Sequence, residues 1–235
     1  MSTDYYSRLE QSRGPHPSVQ LLAALARALR LDRDERDHLF YLAGQTPPAG
    51  GGSADAVSPG MLRILSTLVD DPAFVVSDTG QLLAQNEMSR LLHGDHFGTG
   101  RAANFTWRWF THPELRLRFR PEEHDRHSRT HVADLRATAA RRSGDADVQE
   151  LVSDLLAASA EFRELWESHE VAVRRRDEKM ILHPEVGQLD LLCEKLASLD
   201  ADQTLVMLFP RPGTDTGEKL ALLRVIGRQS FADNH

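Results

Sequence analysis

The sequence predicts an α+β protein, in which a short all-helical segment precedes a larger domain of one antiparallel sheet covered by helices. Residues 45–58 (QTPPAGGGSADAVS) contain prolines, a glycine run and almost no large apolar side chain, and such a stretch behaves as a linker. Strand-like apolar patterns occur at both ends of the larger part, in 73–85 and in 179–209, with helical periodicity between them. We therefore assign residues 1–44 to one domain and residues 59–230 to another.

Composition and charge limit the class of protein. A hydrophobic content of 40% with 27% charged residues is ordinary for a globular protein. The sequence has a polar start and no apolar run of roughly 20 residues, so we expect a cytoplasmic protein. The net charge of −7 argues against DNA binding through a broad positive field, and any DNA contact must come from a local surface. The single cysteine, Cys193, allows no internal disulfide, and its alternation with Leu189 and Leu191 predicts a buried position.

Three helices are predicted in the N-terminal domain. Ser2 is a suitable N-cap for a helix over residues 3–11, and Ser18 for a second helix over residues 19–31. A third helix is predicted within residues 32–44, where Gly44 ends it. The apolar stripe of the second helix consists of Val19, Leu22, Ala26 and Leu29.

The larger domain is predicted to begin and end with strands. Strands flank the hairpin signal Asp78-Thr79-Gly80, and the continuous apolar run 204–209 is typical of a central strand. The predicted strands are 73–77, 82–85, 179–183, 188–194 and 204–209. Helical patterns occur at 61–68, 86–92, 121–142, 148–158, 160–166 and 216–226, and the aromatic-rich segment 105–119 is predicted to be partly helical.

Residues 2–11 (STDYYSRLEQ), a Gly/Pro loop and the Pro17-Ser18 start of an apolar helix resemble the second half of a repressor-type helix-turn-helix domain. The resemblance makes 2–11 the recognition helix, whose exposed positions face the major groove of DNA. It implies that Tyr6 and Leu9 are core residues. The residues that it implies for DNA contact are Thr3, Asp4, Tyr5, Ser7, Arg8 and, for a phosphate at the N-terminus of its helix, Ser18.

Nearly the whole chain resembles the MmyB-like regulators of actinobacteria and relatives. The segments that carry the resemblance are DYYSRLEQ (4–11), GPHPS (14–18), LAQN (83–86), NFTWRWF (104–110), SAEFRELW (159–166), HPEVG (183–187) and RPGT (211–214). The resemblance implies a PAS-like domain after the linker, with a fatty-acid-like ligand in its pocket. The family usually has glycine in place of Ser12, valine in place of Met1 and two helices before Ser2. Because GTG encodes valine internally and methionine at a start, we expect the true reading frame to begin upstream.

All three tryptophans and three of the nine phenylalanines lie in two short segments, 105–110 and 162–166. These rings form either a simple core or an apolar cavity with a few orienting polar groups, and the family resemblance favours the cavity. Arg108 is a candidate to pair with a ligand carboxylate. The candidate ligand-binding residues are Asn86, Asn104, Phe105, Arg108, Trp109, Phe162 and Trp166.

Three other patterns are predicted to be structural or solvent-exposed features. His124, His127 and His131 share a helix face, but no Glu or Cys partner supports a metal site, so they are expected to be a polar face or to border the ligand cavity. The glycine pattern at 98–103 does not follow a strand and is expected to be a loop. The arginine run 174–176 is expected to be solvated. No hydrolase, metalloprotease or P-loop motif occurs, and we expect neither enzymatic activity nor a cofactor other than a bound fatty acid.

These observations predict a transcription regulator whose PAS-like domain senses a small, fatty-acid-like ligand and adjusts DNA binding. A homodimer is expected because helix-turn-helix domains read paired half-sites. The alternative is a ligand-free protein–protein interaction module, which a filled core and an exposed apolar patch would favour.

Overall fold

The computed structural model describes residues 17–31, 33–45, 47, 56–94, 100–142, 144–168, 178–198 and 202–232. The chain divides into two compact units, 1–51 and 52–235. Two predicted features lie outside the described residues: the recognition helix, with Thr3, Asp4, Tyr5, Ser7 and Arg8, and the arginine run 174–176.

Two helices are described in the first unit, α1 (Val19–Leu29) and α2 (Arg33–Leu42). The Ser18 hydroxyl accepts a hydrogen bond from the Leu21 N–H (3.3 Å), which confirms the predicted N-cap. Arg30 adopts a left-handed conformation with φ of 53°, so α1 ends at Leu29 and not at residue 31 as predicted. The buried face of α1 is shorter than the predicted stripe: it consists of Leu22, Leu25 and Ala26, whereas Val19 and Leu29, at the two ends of the helix, are exposed.

The second unit contains a five-stranded antiparallel sheet with the strand order β2-β1-β5-β4-β3. The strands are β1 (Ala73–Ser77), β2 (Leu82–Gln85), β3 (Glu178–His183), β4 (Gly187–Ala197) and β5 (Gln203–Pro210). The continuous apolar run of β5 lies at the centre of the sheet, as predicted. An antiparallel sheet covered by helices confirms the α+β class, and it is the architecture expected of a PAS-like domain.

Both faces of the sheet are covered. The outer face, with Val75 and Leu205, packs against α3 (Pro59–Thr67). The inner face packs against α4 (Glu87–His93) and α10 (Thr216–Ala232). The buried inner-face cluster consists of Phe74, Met88, Leu92, Ile181, Val186, Leu189, Leu191, Cys193, Val206, Leu208, Leu220 and Leu223. Cys193 is thus a buried core residue, as its alternation with leucines predicts.

A layer of further helices lies between β2 and β3 in sequence. After a 3-10 turn at Gly100–Ala103, these are α5 (Phe105–Thr111), α6 (Pro113–Arg116), α7 (Pro121–Arg141), α8 (Ala146–Ala158) and α9 (Ala160–Glu167). They share a second core, the helical cluster, formed by Val132, Leu135, Leu151, Leu155 and Phe162. The Ser159 hydroxyl accepts the Phe162 N–H (3.1 Å), which confirms the predicted cap of α9. None of the helices in the described ranges is long and apolar enough to cross a membrane.

The Asn86 side chain connects the β1–β2 hairpin to the segment that follows α3 and to the start of α4. Its amide nitrogen donates to the carbonyls of Leu68 (2.5 Å) and Asp71 (2.8 Å). Its oxygen accepts from the N–H groups of Ala73 (3.1 Å) and Ser89 (2.9 Å), and the second of these bonds caps α4. Because these four bonds use the whole amide, Asn86 serves the fold, and we leave it out of the ligand site proposed below.

Candidate functional site

Trp109 lies at the centre of a group of rings beside the inner face of the sheet. Its side chain is buried, with 2% of its surface exposed. The centroid of its indole lies 5.5 Å from that of Phe119, 5.8 Å from His124, 5.2 Å from His127 and 5.6 Å from His131, with the last ring stacked. We call these five residues the Trp109 cluster. It joins α5 to α7.

The aromatic residues of α5 divide between two faces of the helix. Phe105 packs against the inner-face cluster, with its ring 5.2 Å from that of Phe74, and Trp109 follows four residues later on the same side. Trp107 and Phe110, three residues apart, pack instead against the helical cluster. The aromatic residues that were predicted to lie together therefore form two separate groups, one on each face of α5.

Phe162 and Trp166 belong to the second of these groups. Phe162 is fully buried, its ring stacks on Trp166 (5.4 Å) and meets the edge of Phe110 (5.1 Å), and the Arg136 guanidinium lies over Trp166 at 5.0 Å. The sequence analysis placed both residues in one pocket with Trp109, and the two faces of α5 separate them from it. Because these rings fill a packed core, we leave Phe162 and Trp166 out of the proposed site.

Two of the three histidines of α7, His124 and His131, make hydrogen bonds that do not depend on a metal. Nδ1 of His131 lies 3.1 Å from the Thr106 hydroxyl, and Nε2 of His124 lies 3.0 Å from the carbonyl oxygen of Arg116 and 3.2 Å from that of Phe119. No group of three His, Cys, Asp or Glu side chains in the described ranges could hold a metal ion. The described residues therefore do not support metal binding by these histidines.

Lys179 reaches the same region from the sheet. On the edge strand β3 it lies directly opposite Leu191 of β4, and residues paired in this way lie on the same face of an antiparallel sheet. Leu191 and the next residue in phase along β3, Ile181, both belong to the inner-face cluster. Lys179 is therefore on the inner face. The sequence analysis missed this lysine, although its period-two relation to Ile181 is a signal that could have found it.

Four titratable side chains in this region are enclosed by protein and yet keep accessible surface: His93, His127, His131 and Lys179. Burial is the main cause that lowers the pKa of each, and for the three histidines it lowers the pKa to about 3. A side chain in a packed core keeps no such surface, and one on the outside of the molecule is not desolvated. These four side chains are therefore desolvated but not closely packed on every side.

The charge of Lys179 acts on the other three members of this group. After burial, its positive charge is a further cause of the lowered pKa of His93 on α4 and of His127 and His131 on α7. Since Coulomb interactions weaken with distance, the amine lies near both helices. Within the described part of the chain, Nζ of Lys179 has no ion pair or hydrogen bond.

The neutral histidines predict acid-sensitive stability. An unfolded imidazole takes up a proton below a pH of about 6.5, whereas His93, His127 and His131 do so in the folded chain only near 3. Between these values the unfolded state binds more protons, so the free energy of unfolding falls as the pH falls from 6.5 towards 3, by at most about 1.4 kcal/mol per pH unit and histidine. Urea unfolding at pH 7.5, 6.5 and 5.5 measures this loss. The variant His131→Gln should lose less stability on acidification, and equal pH slopes for both proteins would contradict the assignment.

A closed set of polar contacts holds Trp109 in place. Its indole N–H donates to the Ser128 hydroxyl (2.8 Å), which donates to the Glu161 carboxylate (2.6 Å). The Arg116 guanidinium donates to the same carboxylate (2.6 Å) and to the Trp109 carbonyl (3.1 Å), and it lies 4.9 Å from the indole centroid. The contacts connect α5, α6, α7 and α9, so the ring orientation is fixed from four helices.

Asn104 and Arg108 are two further predicted ligand-binding residues. Asn104 precedes α5, and Arg108 lies within it. Asn104 caps the helix by accepting the Trp107 N–H (2.9 Å) and donates to the Thr79 carbonyl (3.0 Å), so it also serves the fold. Arg108 is buried, and burial lowers its pKa against the opposing effect of the Glu114 carboxylate. Its charge also acts on His93, so Arg108 borders the enclosed region and stays a candidate.

A cleft of about 350 Å³ lies at the first turns of α7, where it is lined by Arg120, Glu122, Glu123 and Arg126. The Arg126 guanidinium pairs with Glu123 (2.7 Å). After burial, the charge of Arg126 is one of the causes of the lowered pKa of His127 and of Lys179.

Aromatic rings beside a few polar side chains that keep accessible surface are typical of a small-molecule-binding domain. The comparisons with known proteins show a regulator that combines such a domain with a DNA-binding one: a helix-turn-helix domain matches residues 1–39, and the MmyB-like transcription regulator ligand binding domain matches residues 57–223. Because the second match covers more than half of the 235 residues, the chain belongs to the MmyB-like transcription regulators. No curated protein matches the chain.

Proposed function

We propose that this regulator senses a fatty-acid-like ligand, held between the inner face of the sheet and the helices α5 and α7. The observation that carries the proposal is the set of enclosed side chains that keep accessible surface: His93, His127, His131 and Lys179. The rings of Phe105 and of the Trp109 cluster supply apolar surface for an acyl chain. The four titratable side chains are the polar groups available to orient the ligand.

The same proposal links ligand binding to DNA binding. A ligand shifts a protein towards the conformation that it binds more tightly, and in a homodimer such a shift changes how two recognition helices are placed on paired half-sites. The residues proposed to contact DNA remain Thr3, Asp4, Tyr5, Ser7, Arg8 and Ser18. Ser18 opens α1, where free N–H groups suit a phosphate.

Ligand binding is tested by native mass spectrometry and thermal unfolding of the full chain with a series of saturated fatty acids. We expect one added fatty acid per chain. At a free concentration of 100 times Kd, a ligand stabilises the folded state by about 2.7 kcal/mol, which corresponds to a rise in Tm of about 5–10 °C for a domain of this size.

Two tryptophan substitutions on α7 locate the binding. His127→Trp places a larger side chain in the enclosed space and should abolish the added mass and the Tm shift. Ala137→Trp adds the same side chain at an exposed position of the same helix and should leave both unchanged. If the unmodified chain shows neither added mass nor stabilisation with any chain length, the ligand-sensing proposal fails and a ligand-free interaction module is favoured.

A further inference from the structure

We propose that Lys179 binds the anionic head of the ligand, so that a carboxylate lies against its Nζ in the space between α4, α7 and the inner face of the sheet. This inference rests on the proposed function, because it assumes a ligand in that space. It adds the orientation of the ligand, with its charged end at Lys179. The sequence predicted that Arg108 pairs with the ligand carboxylate, and Arg108 is the alternative to Lys179.

Lys179 lies on the apolar inner face of the sheet. The register of β3 against β4 places Lys179 on the inner face opposite Leu191, which is fully buried in the apolar cluster. The side chain of Lys179 is half-buried, and its charge acts on imidazoles of α4 and of α7, so the amine lies near both helices. A cation on an apolar face is costly unless it has a counter-ion.

The titratable groups around the amine are mostly cations. The titratable groups that act on Lys179, or share its histidine neighbours, are Arg108, Arg116, Arg118, His124, Arg126, Asp134, Cys193 and Lys195. Three of these cations already have a carboxylate: Arg116 pairs with Glu161 (2.6 Å), Arg126 pairs with Glu123 (2.7 Å), and Glu114 acts on Arg108. Asp134 acts on the pKa of Lys179, but less than burial, Cys193, Lys195 and Arg126 do. The charge of Lys179 is therefore one that a bound anion would neutralise.

Lys179 and Arg108 differ in the carboxylates that act on them. The Glu114 carboxylate acts on Arg108 and opposes the effect of burial on its pKa, so part of the charge of Arg108 is already compensated. Among the described residues Lys179 has no ion pair, and its charge reaches three imidazoles. A carboxylate beside Lys179 would leave the acyl chain in contact with the rings of the Trp109 cluster, since His127 and His131 belong to both environments.

The test compares a saturated fatty acid with the alcohol of the same chain length, by calorimetric titration of the full chain near pH 7.5. We expect the acid to bind more tightly than the alcohol. Lys179→Met, which keeps the length of the side chain and removes the charge, should weaken acid binding by about 10- to 100-fold and leave alcohol binding nearly unchanged. The variant should also fold, because it replaces an amine without a counter-ion by an apolar side chain.

Lys195→Met is the matched control. Lys195 shares the inner-face register through its partner Val206 but is exposed, so the loss of its charge should change acid binding by less than about threefold. If acid and alcohol bind equally and Lys179→Met changes neither, or if Lys195→Met weakens acid binding as much as Lys179→Met, the head-group assignment is wrong while the proposed function stands. If neither acid nor alcohol binds the unmodified chain, the proposed function fails and this inference with it.

Discussion

Replacement of Arg142 by alanine should lower the free energy of unfolding by about 3–5 kcal/mol. Its side chain has no exposed surface, and its guanidinium donates to Asp78 (2.8 Å), Asp145 (2.7 Å) and Asp147 (2.7 Å). Asp78 is itself buried in the β1–β2 hairpin, so the substitution leaves a carboxylate with little solvent and one partner fewer. Urea unfolding followed by circular dichroism measures the loss.

Arg141→Ala is the control for this prediction. Arg141 pairs with the same carboxylate of Asp78 (3.0 Å), but about half of its side chain is exposed (52%), so we expect a loss of no more than about 1 kcal/mol. If the buried charge is the cause, Asp78→Asn should restore part of the stability lost in Arg142→Ala. Equal losses for the two arginine variants would contradict a buried-charge mechanism.

Trp109→Ala should lower the free energy of unfolding by about 3–5 kcal/mol, the usual cost of removing a buried aromatic side chain. The change removes the ring that contacts Phe119 and the three histidines of α7, and it removes the donor to Ser128. Trp109→Phe keeps much of the apolar volume and loses chiefly the hydrogen bond, so it should cost about 1–2 kcal/mol.

A leucine at the surface provides the comparison for Trp109. Leu117 is 77% exposed, and Leu117→Ala should change stability by less than about 0.5 kcal/mol. Chemical denaturation of the four proteins gives the order directly. If Trp109→Phe cost as much as Trp109→Ala, the contribution of Trp109 would lie in its hydrogen bond and not in its packing.

Local patterns in the sequence were sufficient for most elements of the fold. The hairpin at 73–85, the central strand β5 and the long helix α7 were predicted within one residue, because each has its own periodicity or turn signal. The caps at Ser18 and Ser159 follow from bonds over three residues. Such features depend on near neighbours, which the sequence displays.

The candidate site depended on contacts that the sequence does not display. Lys179 could be placed on the inner face only once the register of β3 and β4 was known, and its relation to His93 joins residues far apart in the chain. Asn86 was taken for a ligand donor because its bonds to Leu68 and Asp71 involve a distant loop. The division of the aromatic residues of α5 into two faces, in contrast, follows from helical periodicity and could have been predicted.

A crystal structure of the full chain with a bound saturated fatty acid tests the central claim most directly. We expect electron density for an acyl chain between the inner face of the sheet and the rings of the Trp109 cluster, with its carboxylate within salt-bridge distance of Nζ of Lys179. Density on the outer face of the sheet, or only between neighbouring molecules, would contradict the proposed ligand site.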